Sequence, residues 1–197
     1  MIKIFSLTTR GLEAVSAGEM AEIPGLTVTE TAYRRVAGMV EGSAASLLNL
    51  RTVDDVYMDI GMWQGVGYTR SMLGDIEARS QQLDLTGAAQ VCATVRSISP
   101  QPLFSVTASF VGKRNYSADE IKNAVRCGIH DSYGWTYTAD DREADFNVRI
   151  FIEHDVAYVG LRLGKSPLHE RAYKHAQRAG SLKPSVAAAI SASSASR

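Results

Sequence analysis

The chain has 197 residues, 45% of them hydrophobic, with 21 Lys and Arg against 21 Asp and Glu, and two cysteines. This is enough apolar material for one domain or two small ones; a formal charge of zero argues against a uniformly basic nucleic-acid binder, and two cysteines are too few for a disulfide scaffold or a cysteine zinc site. The charge is nevertheless uneven: residues 1–95 carry 7 cations and 11 acids, residues 96–197 carry 14 and 10, and six cations stand against one acid from Gly160 to Lys183. Such asymmetry hints at an anionic partner on one side, with ordinary scatter between two domains as the plainer reading.

Residues 2–8 predict a strand, which opens at Thr9, Arg10 and Gly11 into a helix running to about Ile23. Thr9 is its candidate cap, Leu12 and Val15 its inward face, and Pro24 and Gly25 its end. Leu26–Arg35, rich in Thr, Val and Tyr, predicts a strand, and Val36–Glu41 extends one past Gly38. Ser43 opens a short helix carrying Leu47, Leu48 and Leu50. Val56, Met58, Ile60 and Met62 then alternate with Tyr57, Asp59, Gly61 and Trp63, the period of a half-buried strand. Strand, helix, strand, strand, helix, strand is the ferredoxin-like succession. Gly65-Val66-Gly67 marks a boundary; it lacks the third glycine and the flanking βαβ unit of a dinucleotide loop.

A second unit begins near Thr69. Residues 70–83 predict a helix with Met72, Leu73, Ile76 and Leu83 apolar, and Val91–Ser97 a strand. Past Pro100 and Pro102, the alternation of Phe104, Val106, Ala108 and Phe110 with Ser105, Thr107 and Ser109 predicts a strand that Gly112 breaks. Ser117 followed by Glu120 is a capping box, and Ile121, Ala124, Val125 and Ile129 fall on one face of the helix it opens. Gly134 ends that helix and Trp135–Thr138 is a short strand. Asp140, Asp141, Glu143 and Asp145 form an acidic turn whose spacing is not that of a calcium loop. Phe146–Glu153 and Val156–Leu163 make a hairpin turning at His154-Asp155.

After Gly164 the periodicity lapses into an ordered linker or a partner-binding arm; Val186–Ile190 begins an Ala-rich helix, and Ser191–Arg197 has a low-complexity composition that predicts disorder. His169 and His175 do not form a zinc motif. Cys92 and Cys127 lie in apolar segments and read as reduced core residues of a cytoplasmic protein. The N-terminus lacks a signal-peptide pattern, and no run reaches the roughly 18 apolar residues of a membrane span.

Candidate chemistry concentrates between the strand ending at Phe110 and the helix capped by Ser117. Lys113 and Arg114, with Asn115 and Tyr116 behind them, stand beside a helix N-terminus, where free N–H groups and the helix dipole favour an anion such as phosphate. The alternative is an ordinary solvated basic loop. No cysteine, serine or carboxylate has a recognisable base partner, so no catalytic residue and no metal site is assigned.

The order of four pieces carries a resemblance: the strand-turn-helix around Phe104–Ile129, the hairpin VRIFIEHDVAYVGLRL, the segment PLHERAYK and the segment GSLKPSVAAAI. Together they resemble the N-terminal half of the THUMP-containing RNA guanine-N2 methyltransferases, best over residues 69–190. The resemblance implies an α+β fold with a ferredoxin-like unit over 1–66, a THUMP domain over 67–164, a linker over 165–184 and, in 185–197, a short helix opening a truncated methyltransferase domain or a disordered tail. It implies that the two units grip RNA, either the acceptor end of a tRNA or 23S rRNA, while a separate domain in cis or in trans binds S-adenosylmethionine and does the chemistry.

The D-P-x-x-G-S-G cofactor loop and N-P-P-Y catalytic loop of that separate domain do not occur here, so this chain is expected to hold no cofactor and to be inactive alone. On this reading Lys113, Arg114, Asn115 and Tyr116 contact RNA, and Arg126, Arg149, Arg162, Lys165, Arg171 and Lys174 extend the basic surface. Tyr116, Trp135 or Tyr137 is the candidate platform for an unpaired base. Phe110 stands where relatives often carry a cation. Two other readings stay open: a standalone THUMP adaptor presenting tRNA to another modification enzyme, and a small-molecule or oligomerisation module on ferredoxin-like folds.

Overall fold

The computed structural model describes residues 1–171 and 181–195, and it divides into two compact units. The first comprises residues 1–58 and 166–197; the second comprises residues 59–165.

In the first unit, β1 (Ile2–Leu7) lies between two antiparallel neighbours. After α1 (Glu13–Ala21) comes β2 (Leu26–Ala32), which pairs with β3 (Arg35–Val40); β3 pairs in turn with β1, and β1 pairs with β4 (Asp55–Trp63), whose residues from Asp59 onward lie in the second unit. A 3-10 helix over Ala45–Asn49 stands where the second helix of the ferredoxin-like pattern was expected. Both faces of β1 are covered: Ile4 and Phe5, adjacent and pointing opposite ways, are each 1% exposed, and Phe5 stacks on its register partner Tyr57 at 5.3 Å.

Helix α1 differs from expectation at its cap and its inward face. Thr9 does not cap it; instead the Glu13 carboxylate accepts the Gly11 and Arg34 amides at 2.8 and 3.0 Å. Its buried residues are Ser16 and Met20, whereas Leu12 and Val15 are half-buried. Glu19 accepts the Arg51 and Thr52 amides and the Thr52 hydroxyl at 2.6–2.8 Å, tying the helix to the chain entering β4.

The segment after Lys165 docks onto this same unit through Asp54. Its backbone carbonyl accepts the His169 amide at 2.9 Å, and its carboxylate receives the Ser185 hydroxyl and the Lys183 ammonium, both at 2.7 Å. Helix α5 runs from Pro184 to Ala195, so residues 191–195, expected to be disordered, continue the helix. Alanine-rich composition suits helix propagation, and docking of Ser185 and Ala189, both buried, supplies what the sequence alone could not show.

The second unit opens with α2 (Met72–Ser80) and α3 (Leu85–Val95). The expected strand at 91–97 is thus a helix as far as Val95. The Asp84 side chain accepts the Gly87 amide at 2.9 Å as an N-cap, and Leu85, Ala88 and Cys92 at positions i, i+3 and i+7 form the buried face. Val91 and Val95, whose branched side chains suggested a strand, are only half-buried. Arg96, just past the helix, takes extended geometry.

Strand β5 (Leu103–Phe110) leads through α4 (Ala118–Tyr133) to the short β6 (Thr136–Tyr137) and the hairpin of β7 (Phe146–Glu153) and β8 (Val156–Arg162), giving the order β8-β7-β5-β6. β5 runs parallel to both β6 and β7, as a helical crossover requires. One sheet face is apolar, with Phe104, Val106, Phe146, Val148, Ile150 and Leu161 buried. The other carries Ser105, Asn147 and Arg162, and these too are buried, at 3–4% exposure.

Asp141 makes that polar face affordable by accepting the Ser105 hydroxyl at 2.6 Å, the Asn147 amide at 2.8 Å and Arg162 at 2.6 Å. Burial acts to raise the Asp141 carboxyl, but its bonds to Ser105, Arg162 and Asn147 and the Arg162 charge outweigh it and hold the group below the ordinary carboxylate range. The acidic turn is therefore only partly a solvated one. The Cys92 thiol is buried and donates weakly to the Arg162 carbonyl at 3.4 Å, and burial pushes its pKa up. Cys127 is half-buried and, like Cys92, not in a disulfide. Among the described residues, no helix is long and apolar enough to cross a membrane.

Helix α4 packs against α2 with Gly128 at the crossing, where a Cβ would meet the Glu77 carbonyl at 2.4 Å and the Ser80 Cβ at 2.7 Å. Alanine at Gly128 gains helix propensity of roughly 1 kcal/mol but collides with backbone, and overpacking of this kind costs about 1–3 kcal/mol. Gly128→Ala is expected to lower Tm by a few degrees in a thermal melt; a rise would mean that α2 can move aside freely.

Candidate nucleic-acid interface

The loop between β5 and α4 does not present its two cations alike. Lys113 is exposed, as is Asn115, whose amide donates to the Tyr68 carbonyl at 2.9 Å. Arg114 turns inward. Its Nη1 donates to the carbonyls of Val66 and Gly67 at 3.1 and 2.9 Å and lies 2.8 Å from the Tyr116 hydroxyl, while Nη2 donates to the His154 carbonyl. The guanidinium sits 4.7 Å from the Tyr68 ring centroid, with the Phe110 and Tyr116 rings at 5.9 and 5.7 Å. One side chain thereby joins the segment before α2, the loop before α4 and the turn of the β7–β8 hairpin. Tyr116, 3% exposed, is a core residue whose hydroxyl donates to the Gly67 carbonyl at 2.6 Å. Arg114 is therefore neither an outward anion contact nor part of an ordinary solvated loop, the two readings that the sequence offered. The reason is that the carbonyls of Val66, Gly67 and His154 converge there, and a planar five-donor fork reaches all three.

The helix N-terminus beside this loop is also occupied. Ser117 and Glu120 form the expected capping box, Ser117 Oγ accepting the Glu120 amide at 3.2 Å and the Glu120 carboxylate accepting the Ser117 amide at 2.9 Å. The Ser117 backbone bond leads the effects that lower the Glu120 pKa, and Arg70 pairs with the same carboxylate. With Asp119 also in the first turn, the dipole is met by the chain's own acids, and an incoming phosphate would face two carboxylates.

The other expected site residues scatter. Arg162 is buried against Asp141, and Arg149 donates to the Ser109 hydroxyl at 2.5 Å. Lys165 is exposed but donates to the Glu143 and Ala144 carbonyls at 3.2 and 2.6 Å. Arg171, in the first unit, donates to the Leu50 carbonyl at 2.5 Å. Lys174 lies outside the described residues. Of the aromatic candidates, Trp135 stacks on Phe146 at 4.9 Å with Phe104 and Tyr133 around it, which makes it part of an internal cluster.

What remains outward is the solvent side of α4. Arg126 is exposed, with its guanidinium 5.4 Å from the ring centroid of half-buried Tyr137 on β6. Lys122 precedes it by one turn and His130 follows by one turn, at the i, i+4, i+8 spacing that sets residues on one helix face. The Lys122 ammonium lies 2.9 Å from Asp119, and His130 Nδ1 lies 3.2 Å from the Trp135 carbonyl. Arg126 and Tyr137 belong to the expected set, whereas Lys122, Asn123 and His130 were not singled out. Their helical spacing was the available signal, hidden by attention to the opposite, apolar face of α4.

Residues 84–162 match the family profile described as the THUMP domain. No curated protein matches the sequence. Among solved structures, the fold resembles TrmN from Thermus thermophilus, at 22% identity and a TM-score of 0.72, over 96% of this chain and 53% of that one. It resembles a predicted N6-adenine-specific DNA methylase from Listeria monocytogenes at 19% identity and 0.67, over 96% and 47%. It also resembles a 4-thiouridine synthetase solved as an RNA complex with bound ATP, at 11% identity and 0.51, over 82% and 41%. This chain spans about half the length of the first two.

The different fates of Lys113 and Arg114 can be tested separately. Hydrogen bonds to a charged group contribute about 1.5–3 kcal/mol each, and removal leaves carbonyls unpaired. Arg114→Ala is expected to lower Tm by roughly 5 °C or more, whereas Lys113→Ala, at an exposed position, shifts it by about a degree at most. Equal melting temperatures for the two variants in differential scanning calorimetry would contradict the stapling role.

Proposed function

We propose that this chain is the RNA-binding targeting module of an S-adenosylmethionine-dependent RNA methyltransferase. The observation that carries the reading is the THUMP match over 84–162, which falls on the unit whose α4 presents outward cations. The fold shared with TrmN and with a synthetase solved in complex with RNA supports it. The finer assignment, to guanine-N2 modification of tRNA or 23S rRNA, follows the family resemblance of the segments around Phe104–Ile129 and Leu168–Ile190.

In this reading the chain binds and positions, and a domain in cis or in trans transfers the methyl group. The residues described here do not suit the cofactor. Gly65-Val66-Gly67 is the nearest thing to a glycine loop, and the carbonyls of Val66 and Gly67 are held by Arg114, with the Val66 amide donating to the Asp155 carbonyl. The Val66 and Gly67 carbonyls and the Val66 amide are thus already engaged within the fold. Lys113, which is exposed, and the cations on the solvent side of α4 supply contacts to the RNA, and those to phosphate orient it without reading its bases.

Binding of this kind is driven by counterion release, so it weakens with salt. If about three phosphates are neutralised, affinity for a tRNA with an intact 3′ end falls by roughly tenfold or more between about 50 and 200 mM salt. Fluorescence anisotropy on the full chain measures this. Absence of binding at the lower salt, or an affinity indifferent to salt, would sink the proposal.

A further inference from the structure

We infer that the outward face of α4 together with β6 is a platform for single-stranded RNA, on which Arg126 and Tyr137 hold an unpaired base, Lys122 meets a phosphate on one side of it and His130 accepts a hydrogen bond from a ribose hydroxyl or a base amino group on the other. The inference rests on the RNA-binding reading and gives it a location and a ligand class.

Its starting point is what Arg126 does not do. Arg114, Arg149, Arg162 and Arg171 spend donors on internal acceptors. The Arg126 guanidinium makes no hydrogen bond and no ion pair among the described residues; its contact is the Tyr137 ring. Five donors thus stand exposed beside an aromatic ring. A guanidinium plane and a tyrosine ring both stack on nucleobases, and together they make a sequence-tolerant platform. Tyr137 is held from behind, its ring meeting the Phe104 ring at 5.6 Å and 74°, so the platform is braced by a residue of the core.

The surface relief agrees. Arg126 and Tyr137 form the shared wall of two shallow depressions. Lys122 and Asn123 line one and His130 and Thr136 the other. A strand crossing the wall leaves one nucleotide in each depression. Lys122, Arg126 and His130 rise along the helix at intervals of roughly 6 Å, on the order of the phosphate repeat of an extended single strand. The His130 Nδ1–H bond to the Trp135 carbonyl leaves Nε2 as an acceptor, which suits a ribose 2′-hydroxyl or a base amino group. Asn123 supplies an amide that can read a base edge. The two acids at the rims, Asp119 and Asp131, are exposed; Asp119 is paired with Lys122.

A protein partner fits less well. Among the described residues the exposed large apolar ones are Met1, Tyr33, Met62, Tyr68, Leu182 and Ile190, none of them on α4 or β6. A single half-buried ring among cations lacks the apolar centre of a protein interface. A duplex fits less well too, since its bases are already stacked on one another and offer no face to Tyr137.

The test uses the full chain, a fluorescein-labelled single-stranded oligoadenylate and a blunt RNA duplex of the same length. Arg126→Gln, Tyr137→Leu and Tyr137→Phe are titrated with both, and circular dichroism serves as the folding control. Losing a stacked base weakens binding by roughly tenfold or more. Arg126→Gln and Tyr137→Leu should therefore bind the single strand roughly tenfold or more weakly, while Tyr137→Phe, which keeps its ring, binds as wild type. Because Arg126 meets a base and not a phosphate, Arg126→Gln should leave the salt slope nearly unchanged. Should Tyr137→Leu unfold, Arg126→Gln decides the matter, since that side chain is exposed and makes no hydrogen bond or ion pair among the described residues. Undiminished binding by Arg126→Gln would overturn the platform while leaving RNA binding elsewhere on the chain intact. A wild type that prefers the duplex would overturn the single-strand assignment. A wild type that binds neither probe at low salt would overturn the RNA-binding reading itself.

Discussion

The second unit depends on one guanidinium. Arg114 satisfies backbone carbonyls on segments that the sheet does not join, at Val66 and Gly67 and at His154, and it does so against the rings of Tyr68, Phe110 and Tyr116. Carbonyls in irregular chain must find a donor or water, and a planar five-donor group covered by aromatic rings meets that need in one residue. Two consequences follow. The segment before α2 is fixed relative to the hairpin turn, and the loop before α4 is fixed relative to both. The cost is functional: the most conspicuous cation of the loop is unavailable to an external anion.

Fixing that loop sets α4, and α4 divides the unit into an inside and an outside. Ile121, Ala124, Val125, Gly128 and Ile129 face the sheet and α2, with Gly128 small enough to let α2 approach. Ser117 and Glu120 close the N-terminus on itself, and Gly134 in the left-handed region ends the helix so that Trp135 can enter the aromatic cluster while Tyr137 stays near the surface. Lys122, Arg126 and His130 are then the polar side chains that this arrangement sets on the outward face. A basic face assembled this way is weakly charged, in keeping with a chain of zero net charge.

Much of this was legible in the sequence wherever a period or a capping signal was strong. The capping box at Ser117, the apolar stripe of α4, the alternation of β5 and β7 and the hairpin at His154 all stand as read. Helix α3 was misread because Val91 and Val95 carry strand propensity; burial of Leu85, Ala88 and Cys92 overrides it, and Asp84 supplies the cap. The site was harder. Sequence identifies cations but not the carbonyls that compete for them, so Arg114 beside Lys113, and Arg162 opposite Asp141, looked as available as Arg126. The residues overlooked, Lys122 and His130, become meaningful once Tyr137 is brought beside Arg126 by a strand of only two residues.

The account turns on where RNA meets the chain: on the outward face of α4, and not on the loop where the cations first draw notice. The most direct measurement is an amide chemical-shift titration of the full chain with a single-stranded oligoadenylate. The account predicts that the amides around Lys122, Arg126, His130 and Tyr137 shift together in proportion to occupancy, while those around Val66, Gly67 and Arg114 stay in place because the staple is not disturbed. Shifts confined to the Arg114 loop, with α4 and β6 unmoved, would contradict it.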